Sequence, residues 1–315
     1  AVFAEGMTLT YRQLDERMNR AGCLFRALGV GKGDRVALLF PNDPHFIEVC
    51  FGLMRIGAVP LPLNIKLHTD MLSYILQDSG AKVLVGHRAL LDKARPLYVS
   101  AGLKTPLIVV GEAAGTDAGE TLDAAGPVPL ENYHRLVSQM PAALEAVPAD
   151  EDDLCFLLYT SGSTGRPKGC MLTHGGQWWN AEANRQVLMI DRDDRSLVSV
   201  PLYHKNAMIN AVKPCLMSGA SMVILPGFDP GEVVRAIERY RVTYTTGVPA
   251  MYKMILAYYK ENPGHDLSSL RFVVCGSSEV PPELMRDLQQ LLRVDVLEAY
   301  GLTEGGPQVL VSPRK

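Results

Sequence analysis

Short apolar runs alternate with segments of helical spacing along almost the whole chain, and nothing else in the sequence constrains the fold as strongly. "RVALLF" (35–40), "KVLVG" (82–86), "PLIVVG" (106–111) and "LCFLLYT" (154–160) are runs of strand type, and "AVPLPL" (58–63) reads as extended. Helical patterns fall between them at 10–28, 44–57, 70–80 and 88–100. In the first, Thr10 and Gln13 form a capping box, Leu14, Ala21, Leu24, Phe25 and Leu28 mark an apolar face, and Gly29 ends the helix. Thr69 is the expected cap of the helix over 70–80. Repeated strand–helix–strand units predict an α/β fold with parallel sheet covered by helices.

The rhythm breaks at 112–128, a small and acidic stretch read as a surface loop. It resumes with a helix near 130–139, the strand at 154–160, a short strand at 169–172 and a long helix at 174–189. Beyond the charged connector 192–196, strands are expected at 197–200, 221–225, 243–246, 271–275 and 295–299. Helices are expected at 206–217, 230–240, 249–261 and 281–292. A seam near 190 divides the chain into a part over about 35–190 and a part over about 1–34 plus 191–315. There is no internal repeat of short period and no low-complexity tract.

With 315 residues and 47% hydrophobic composition, the chain can bury a sizeable core. The 31 basic and 34 acidic residues leave a net charge of −3, which argues against nucleic acid as a partner. No apolar run reaches the length of a membrane span, and the first residues lack the basic head and apolar stretch of a signal peptide. The absent initiator Met suggests trimming there. The six cysteines form no C-x-x-C pair, so buried free thiols in a reducing compartment are expected, not zinc. Cytoplasm is the default location.

Residues 159–169, "YTSGSTGRPKG", put hydroxyls, glycines, one Arg and one Lys directly after an apolar strand. Gly162 and Gly165 admit close approach of the main chain, Thr160, Ser161, Ser163 and Thr164 supply donors, and Lys168 supplies a point charge for phosphate. The Walker pattern fails here. Pro167 stands where it needs glycine, and Gly169 where it needs Ser or Thr. A flexible linker would not be wedged between two apolar strands.

The eleven residues closely resemble the phosphate-binding signature of the adenylate-forming superfamily, which contains acyl- and aryl-CoA synthetases, peptide-synthetase adenylation domains and beetle luciferases. "EAYGLTE" (298–304), about 130 residues further on, resembles the second signature of the same family at its usual spacing. "LTYRQLDERMNRAG" and the region from Gly33 to Asn64 also look like the family's opening. The resemblance covers essentially the whole chain. It implies the large N-terminal domain of that fold, a layered αβαβα arrangement of two mostly parallel sheets flanked by helices, without the hinge and small C-terminal domain.

The resemblance also implies roles. A carboxylate attacks the α-phosphorus of ATP, pyrophosphate leaves and an acyl-adenylate forms, which coenzyme A then intercepts. Residues Thr160 to Gly165 would cradle the departing phosphates and Lys168 would offset their charge. Tyr300 would stack on adenine within the segment Glu298–Gly301, facing the turn at Gly276, Ser277 and Ser278. The family usually has small apolar residues or Pro after that glycine, so the adenine contact departs from the pattern here. Thr303 would donate to the α-phosphate and Glu304 would hold Mg²⁺.

"PLYHKNA" (201–207) resembles a segment that the CoA synthetases place against the acid, which makes His204 the candidate to gate the pocket and contact the carboxylate. No Asp of the kind that pairs with an α-amino group occurs in 199–210, so amino-acid activation is disfavoured. Tyr203, Val248, Met251 and Leu302 are candidates for the acyl pocket, and Lys205 with Asn206 could meet a polar tail. The acid is an aliphatic or aromatic carboxylic acid, with chain length and final thiol acceptor open.

The family carries a ribose-binding Asp and a small domain with a catalytic Lys beyond the point where these residues stop. The chain therefore reads as a fragment or a shortened relative, nearly inactive alone, since one preorganised charge contact is worth about 2.7–4 kcal/mol. Three alternatives remain: a non-catalytic nucleotide-binding module, an adenylation domain serving a carrier protein, and a P-loop phosphotransferase, the last disfavoured by Pro167 and Gly169. A homodimer is left open.

Overall fold

The computed structural model describes residues 2–111, 128–161, 165–306 and 308–313. The loop expected over 112–128 lies outside them except for Val128, as do Gly162, Ser163 and Thr164. The chain divides into two compact units: Arg12–Pro41 with His45–Gly175, and Ala1–Tyr11, Asn42–Pro44 and Gly176–Lys315. These boundaries differ from the expected ones near 34 and 190, for reasons visible in packing. Helix Tyr11–Ala27 lies against helix Pro44–Arg55, where a Cβ on Gly52 would fall 2.7 Å from the Met18 carbonyl oxygen. Arg17 pairs with Glu48 and Arg55 with Asp15 across the same crossing. Helix His174–Val187 turns Gln177 towards Lys213, so most of it joins the other unit.

The first unit is built on a five-stranded sheet, wholly parallel, ordered Val59–Pro62, Arg35–Leu39, Val83–His87, Leu107–Val110, Leu130–Asn132. Ala37, Leu39, Leu61 and Leu84 from the strands pack with Leu72, Ile75, Leu76 and Leu97 from the helices. Full burial of each Leu or Ile contributes about 1.5–3 kcal/mol. Two expectations need correction here. Residues 130–132 form a strand, and the helix begins only at Tyr133, because the Asn132 side chain accepts the Arg135 N–H at 3.1 Å and caps it there. Helix Thr69–Ser79 takes Thr69 as its first residue, not its cap; His68 precedes it and makes no side-chain cap bond.

Strands Leu154–Thr160 and Lys168–Thr173 do not extend either parallel sheet. They pair with each other as an antiparallel ribbon, a third sheet beyond the two expected. A seven-residue connection between them is short enough for a hairpin, whereas a parallel crossover needs a dozen residues or more.

The second unit carries eight strands, in the order Gln308–Val311, Asp295–Gly301, Phe272–Gly276, Tyr244–Gly247, Arg195–Val198, Ser221–Ile224, Val2–Ala4, Met7–Leu9. Only the two outermost pairs are antiparallel. Helix Pro230–Tyr240 starts where Asp229 accepts the Glu232 N–H at 2.8 Å and Pro230 opens the first turn. Its Val233, Val234 and Ile237 pack with Tyr252, Ile255 and Leu256 of Pro249–Glu261 and Leu284 and Leu288 of Pro282–Leu292. The helix expected over 206–217 is interrupted: Lys205–Ala207 gives way to a π-helical turn, Met208–Val212, before Lys213–Ser218. Such turns are frequent at functional sites. None of the six cysteines is in a disulfide, and no helix among the described residues is long and apolar enough to cross a membrane.

Candidate functional site

In the eight-stranded unit, strands Phe272–Gly276 and Asp295–Gly301 run parallel with Gly276 opposite Ala299. A Cβ at Gly276 would stand 2.2 Å from the Ala299 carbonyl oxygen, so the pairing admits only glycine. The next residue, Ser277, turns the chain with φ +68°, a conformation costing a non-glycine residue about 1–3 kcal/mol. These strand ends and the interrupted helix line a small, open recess with a cavity volume of about 20 Å³. Five of the residues expected on adenine line it: Gly276, Ser277, Ala299, Tyr300 and Gly301. Ser278 and Glu298 are exposed beside it.

The opposite wall comes from Lys205, Asn206, Ile209 and Asn210. Lys205 Nζ donates to the Gly301 carbonyl at 2.9 Å and ties the helix start to the strand end. Thr246 Oγ1 donates to Asn206 Oδ1 at 2.6 Å, Asn210 Nδ2 makes a longer 3.4 Å contact to the same oxygen, and Asn206 Nδ2 points to Ser277 Oγ at 3.4 Å. Asn206, Asn210 and Thr246 are all buried. Tyr203, Val248, Met251 and Leu302 are not among the residues lining this recess. Val248 instead caps helix Pro249–Glu261, with its carbonyl accepting the Met251 N–H at 3.0 Å.

His204 directly precedes the Lys205 helix. Its Nδ1 accepts the Asn206 backbone N–H at 3.3 Å, so the neutral ring carries its proton on Nε2. Part of the side chain is exposed, yet the protein crowded around the ring, and then the adjacent Lys205 charge, push the imidazole below the usual histidine range. Burial pushes the neighbouring Tyr203 phenol up.

Beyond Gly301 the chain makes a single 3-10 turn, Thr303–Gly305, and Gly306 leaves it at φ +90°. Glu304 is exposed, Thr303 half-buried, and Tyr300 presents 61% of its surface to solvent. Gln177 Nε2 donates to the Gly306 carbonyl at 2.7 Å, and Gln177 Oε1 accepts from buried Lys213 Nζ at 2.5 Å. This chain holds the turn from below. Neither Gln177 nor Lys213 carries a signal in the sequence, because each meets its partner across tens of residues.

In the five-stranded unit, Thr160 stands opposite Lys168 in the ribbon, and Tyr159 opposite Gly169. The two ends of the glycine-rich loop are thus side by side. Ser161, Gly165 and Lys168 are exposed, and Gly165 has φ +84° with open space around it. Helix Thr69–Ser79 supplies unforeseen support. Tyr159 donates its hydroxyl to Asp78 at 2.6 Å, Tyr74 donates to the other Asp78 oxygen at 3.3 Å, and Arg166 lies 5.6 Å over the Tyr74 ring. Burial, and then the bond to Asp78, raise the Tyr159 phenol well above its ordinary range.

The donor set bears on a metal. Among the described residues no three His, Cys, Asp or Glu side chains gather into a group that could hold an ion. A lone exposed carboxylate such as Glu304 fits Mg²⁺, which is held through one or two carboxylates plus the phosphates it accompanies.

The family model described as "AMP-binding enzyme" matches residues 1–315. A feruloyl-CoA synthase of Amycolatopsis sp is 39% identical over 315 residues, covering 100% of this chain and 58% of that protein. The long-chain-fatty-acid–CoA ligase FadD13 of Mycobacterium tuberculosis is 31% identical over 309 residues, 96% of this chain and 57% of the relative. In structure, the anthranilate CoA ligase AuaEII in complex with anthranoyl-AMP superposes with TM-score 0.88 at 26% identity, over 99% of this chain and 58% of that one. The chain thus spans rather less than two thirds of the relatives it matches.

Proposed function

The chain belongs to the AMP-binding enzyme family, and from that premise we propose that the full-length protein activates a carboxylic acid with ATP, releases pyrophosphate, and passes the acyl group from its adenylate to coenzyme A. The observation that carries this reading is the recess at the ends of strands Phe272–Gly276 and Asp295–Gly301, where the second signature meets the glycine turn and the helix after His204. An aromatic acid is the favoured substrate, since feruloyl-CoA synthase is a relative at 39% identity.

Each residue then has a task. Tyr300, exposed at the strand end, offers its ring to adenine. Thr303 donates to the α-phosphate, and Thr160, Ser161, Gly162, Ser163, Thr164 and Gly165 hold the departing phosphates with Lys168 balancing their charge. Mg²⁺, held by Glu304 and phosphate, supplies charge neutralisation when bound. His204, neutral at physiological pH, presents Nε2–H to the substrate carboxylate and orients it without adding a competing proton donor of full charge.

The test is a panel of carboxylic acids on the full-length protein, scored by AMP and pyrophosphate release with and without coenzyme A. Acid-dependent AMP release that rises with coenzyme A, yielding the thioester, is the expected result. ADP as the product would refute adenylation, and AMP release with no thioester formed would move the acyl group to another acceptor. The 315 residues alone, which span 58% of the length of the 39%-identical relative, are expected to release AMP orders of magnitude more slowly.

A further inference from the structure

One carboxylate and two phenols join the two flanks of the glycine-rich loop. Tyr159, in the strand that enters the loop, donates to one oxygen of Asp78 at 2.6 Å. Tyr74 donates to the other oxygen at 3.3 Å, and its ring carries the Arg166 guanidinium 5.6 Å from the centroid, directly after Gly165. Tyr74 and Asp78 are neighbours on one face of helix Thr69–Ser79, so a single helical turn meets both flanks. Both oxygens of the carboxylate are occupied by hydroxyls.

The ribbon is shaped for this reach. Gly169 stands opposite Tyr159, and a Cβ there would fall 3.1 Å from Tyr159 Cζ and 3.1 Å from Leu157 Cδ1. The glycine therefore lets the Tyr159 ring lie close over the facing strand. Gly169, where the Walker pattern asks for a hydroxyl, has a task of its own. Burial, and then the bond to Asp78, keep the phenol protonated, so it remains a donor at physiological pH. Ordering a glycine-rich segment around a ligand costs conformational entropy, because glycine has the most backbone freedom to lose. Fixing the ends of such a segment beforehand lowers that cost, and the saving appears as affinity.

Building on the ligase reading above, we infer that Asp78 is a positioning residue for ATP, which fixes both flanks of the phosphate-binding loop through Tyr159 and Tyr74. It acts on the nucleotide only through the loop, and the substrate acid does not depend on it. Arg166 is the tie on the far flank, held by the Tyr74 ring as a cation over an aromatic face.

The experiment uses the full-length protein and the variants Asp78→Ala, Asp78→Asn, Tyr74→Phe and Tyr74→Leu. It reads the Kd for MgATP by calorimetry, the separate KM values for ATP and acid in AMP release, and the unfolding midpoint. In Asp78→Ala the Kd and KM for ATP should rise about 10-fold, the scale of a lost hydrogen-bonded tie, while the KM for the acid is unchanged. Asp78→Asn keeps an acceptor of the same reach and should recover most of that loss. Tyr74→Phe keeps the ring under Arg166 and should lose less ATP affinity than Tyr74→Leu, which removes it. A lower unfolding midpoint in Asp78→Ala with ATP affinity as in the wild type would make the carboxylate merely structural and overturn the inference. An equal rise in both KM values would overturn it too. Where Asp78→Ala does not fold, the two Tyr74 variants decide, and wild-type ATP affinity in both overturns the inference. A protein that binds MgATP but turns over no acid fails the ligase reading itself, while the calorimetry still judges Asp78, so the two failures are distinguishable.

Discussion

In the unit built on five strands, Thr160 and Lys168, both assigned to phosphate, sit on a two-stranded ribbon outside the parallel sheet, and Ser161, Gly165 and Lys168 are exposed. In the unit built on eight strands, the residues assigned to the base and the acid sit at the ends of the sheet's own strands, with buried Asn206, Asn210 and Thr246 packed behind them. The contrast follows from what each part must do. A polyanion is held by charge and backbone donors on a short loop, so the charged side chains can stay in water until it arrives. A small recess that distinguishes one organic group from another needs fixed polar atoms out of water, where an unmatched hydrogen bond is costly.

The comparison breaks most visibly if charge on the ribbon proves dispensable. Lys168→Ala in the full-length protein is expected to lower acid-dependent AMP release by about 10²–10³-fold, the loss of one preorganised charge contact of about 2.7–4 kcal/mol. The exposed Lys168 buries nothing, so the unfolding midpoint should stay where it is. A large fall in melting temperature with activity per folded molecule intact would mean that the ribbon is structural and the assignment of its charge wrong.

The reverse pattern is expected at Gly276. An added methyl would have to lie 2.2 Å from a backbone oxygen, and backbone cannot swing aside as a side chain can. Gly276→Ala should destabilise the protein by about 1–3 kcal/mol, the usual cost of overpacking, and weaken nucleotide binding with it. Calorimetry on the purified variant reads both. Unchanged stability would mean that strands Phe272–Gly276 and Asp295–Gly301 part more readily than their register suggests.

The same contrast explains how much of the molecule was legible beforehand. Helix 230–240 was read to the residue, because Asp229, Pro230 and an apolar stripe announce it locally. Strands Val2–Ala4, Met7–Leu9 and Gln308–Val311 were missed, since three or four residues at a sheet edge carry too little pattern to register. Gly276, Tyr300 and Gly301 line one recess, and two short contiguous segments, 273–281 and 298–304, single them out in the sequence. Asn210, Thr246 and Gln177 were invisible. Each acts through a partner brought near only by the fold, as Thr246 does with Asn206 forty residues earlier. The break at Met208–Val212, which carries Asn210 in the recess wall, leaves no trace in the residue pattern, since neither glycine nor proline marks it.

The smallest effect tests the ribbon's support. Tyr159 donates to Asp78 at 2.6 Å, and one such bond contributes about 0.5–1.5 kcal/mol net. Tyr159→Phe removes the hydroxyl and leaves the ring, so stability should fall by that amount while Lys168, on the facing strand, keeps its place opposite Thr160. The pH dependence follows from the raised phenol. An acid whose folded pKa lies above its unfolded value contributes stability that is fully present below the unfolded value and is lost as pH rises through the folded one. The gap between wild type and Tyr159→Phe should therefore be flat from about pH 7 to pH 9, below the ordinary tyrosine value of about 10. It should shrink only in stronger alkali. The absence of any gap at neutral pH would place the Tyr159 hydroxyl in water and detach it from helix Thr69–Ser79. Arg166 over the Tyr74 ring would still tie the ribbon to that helix.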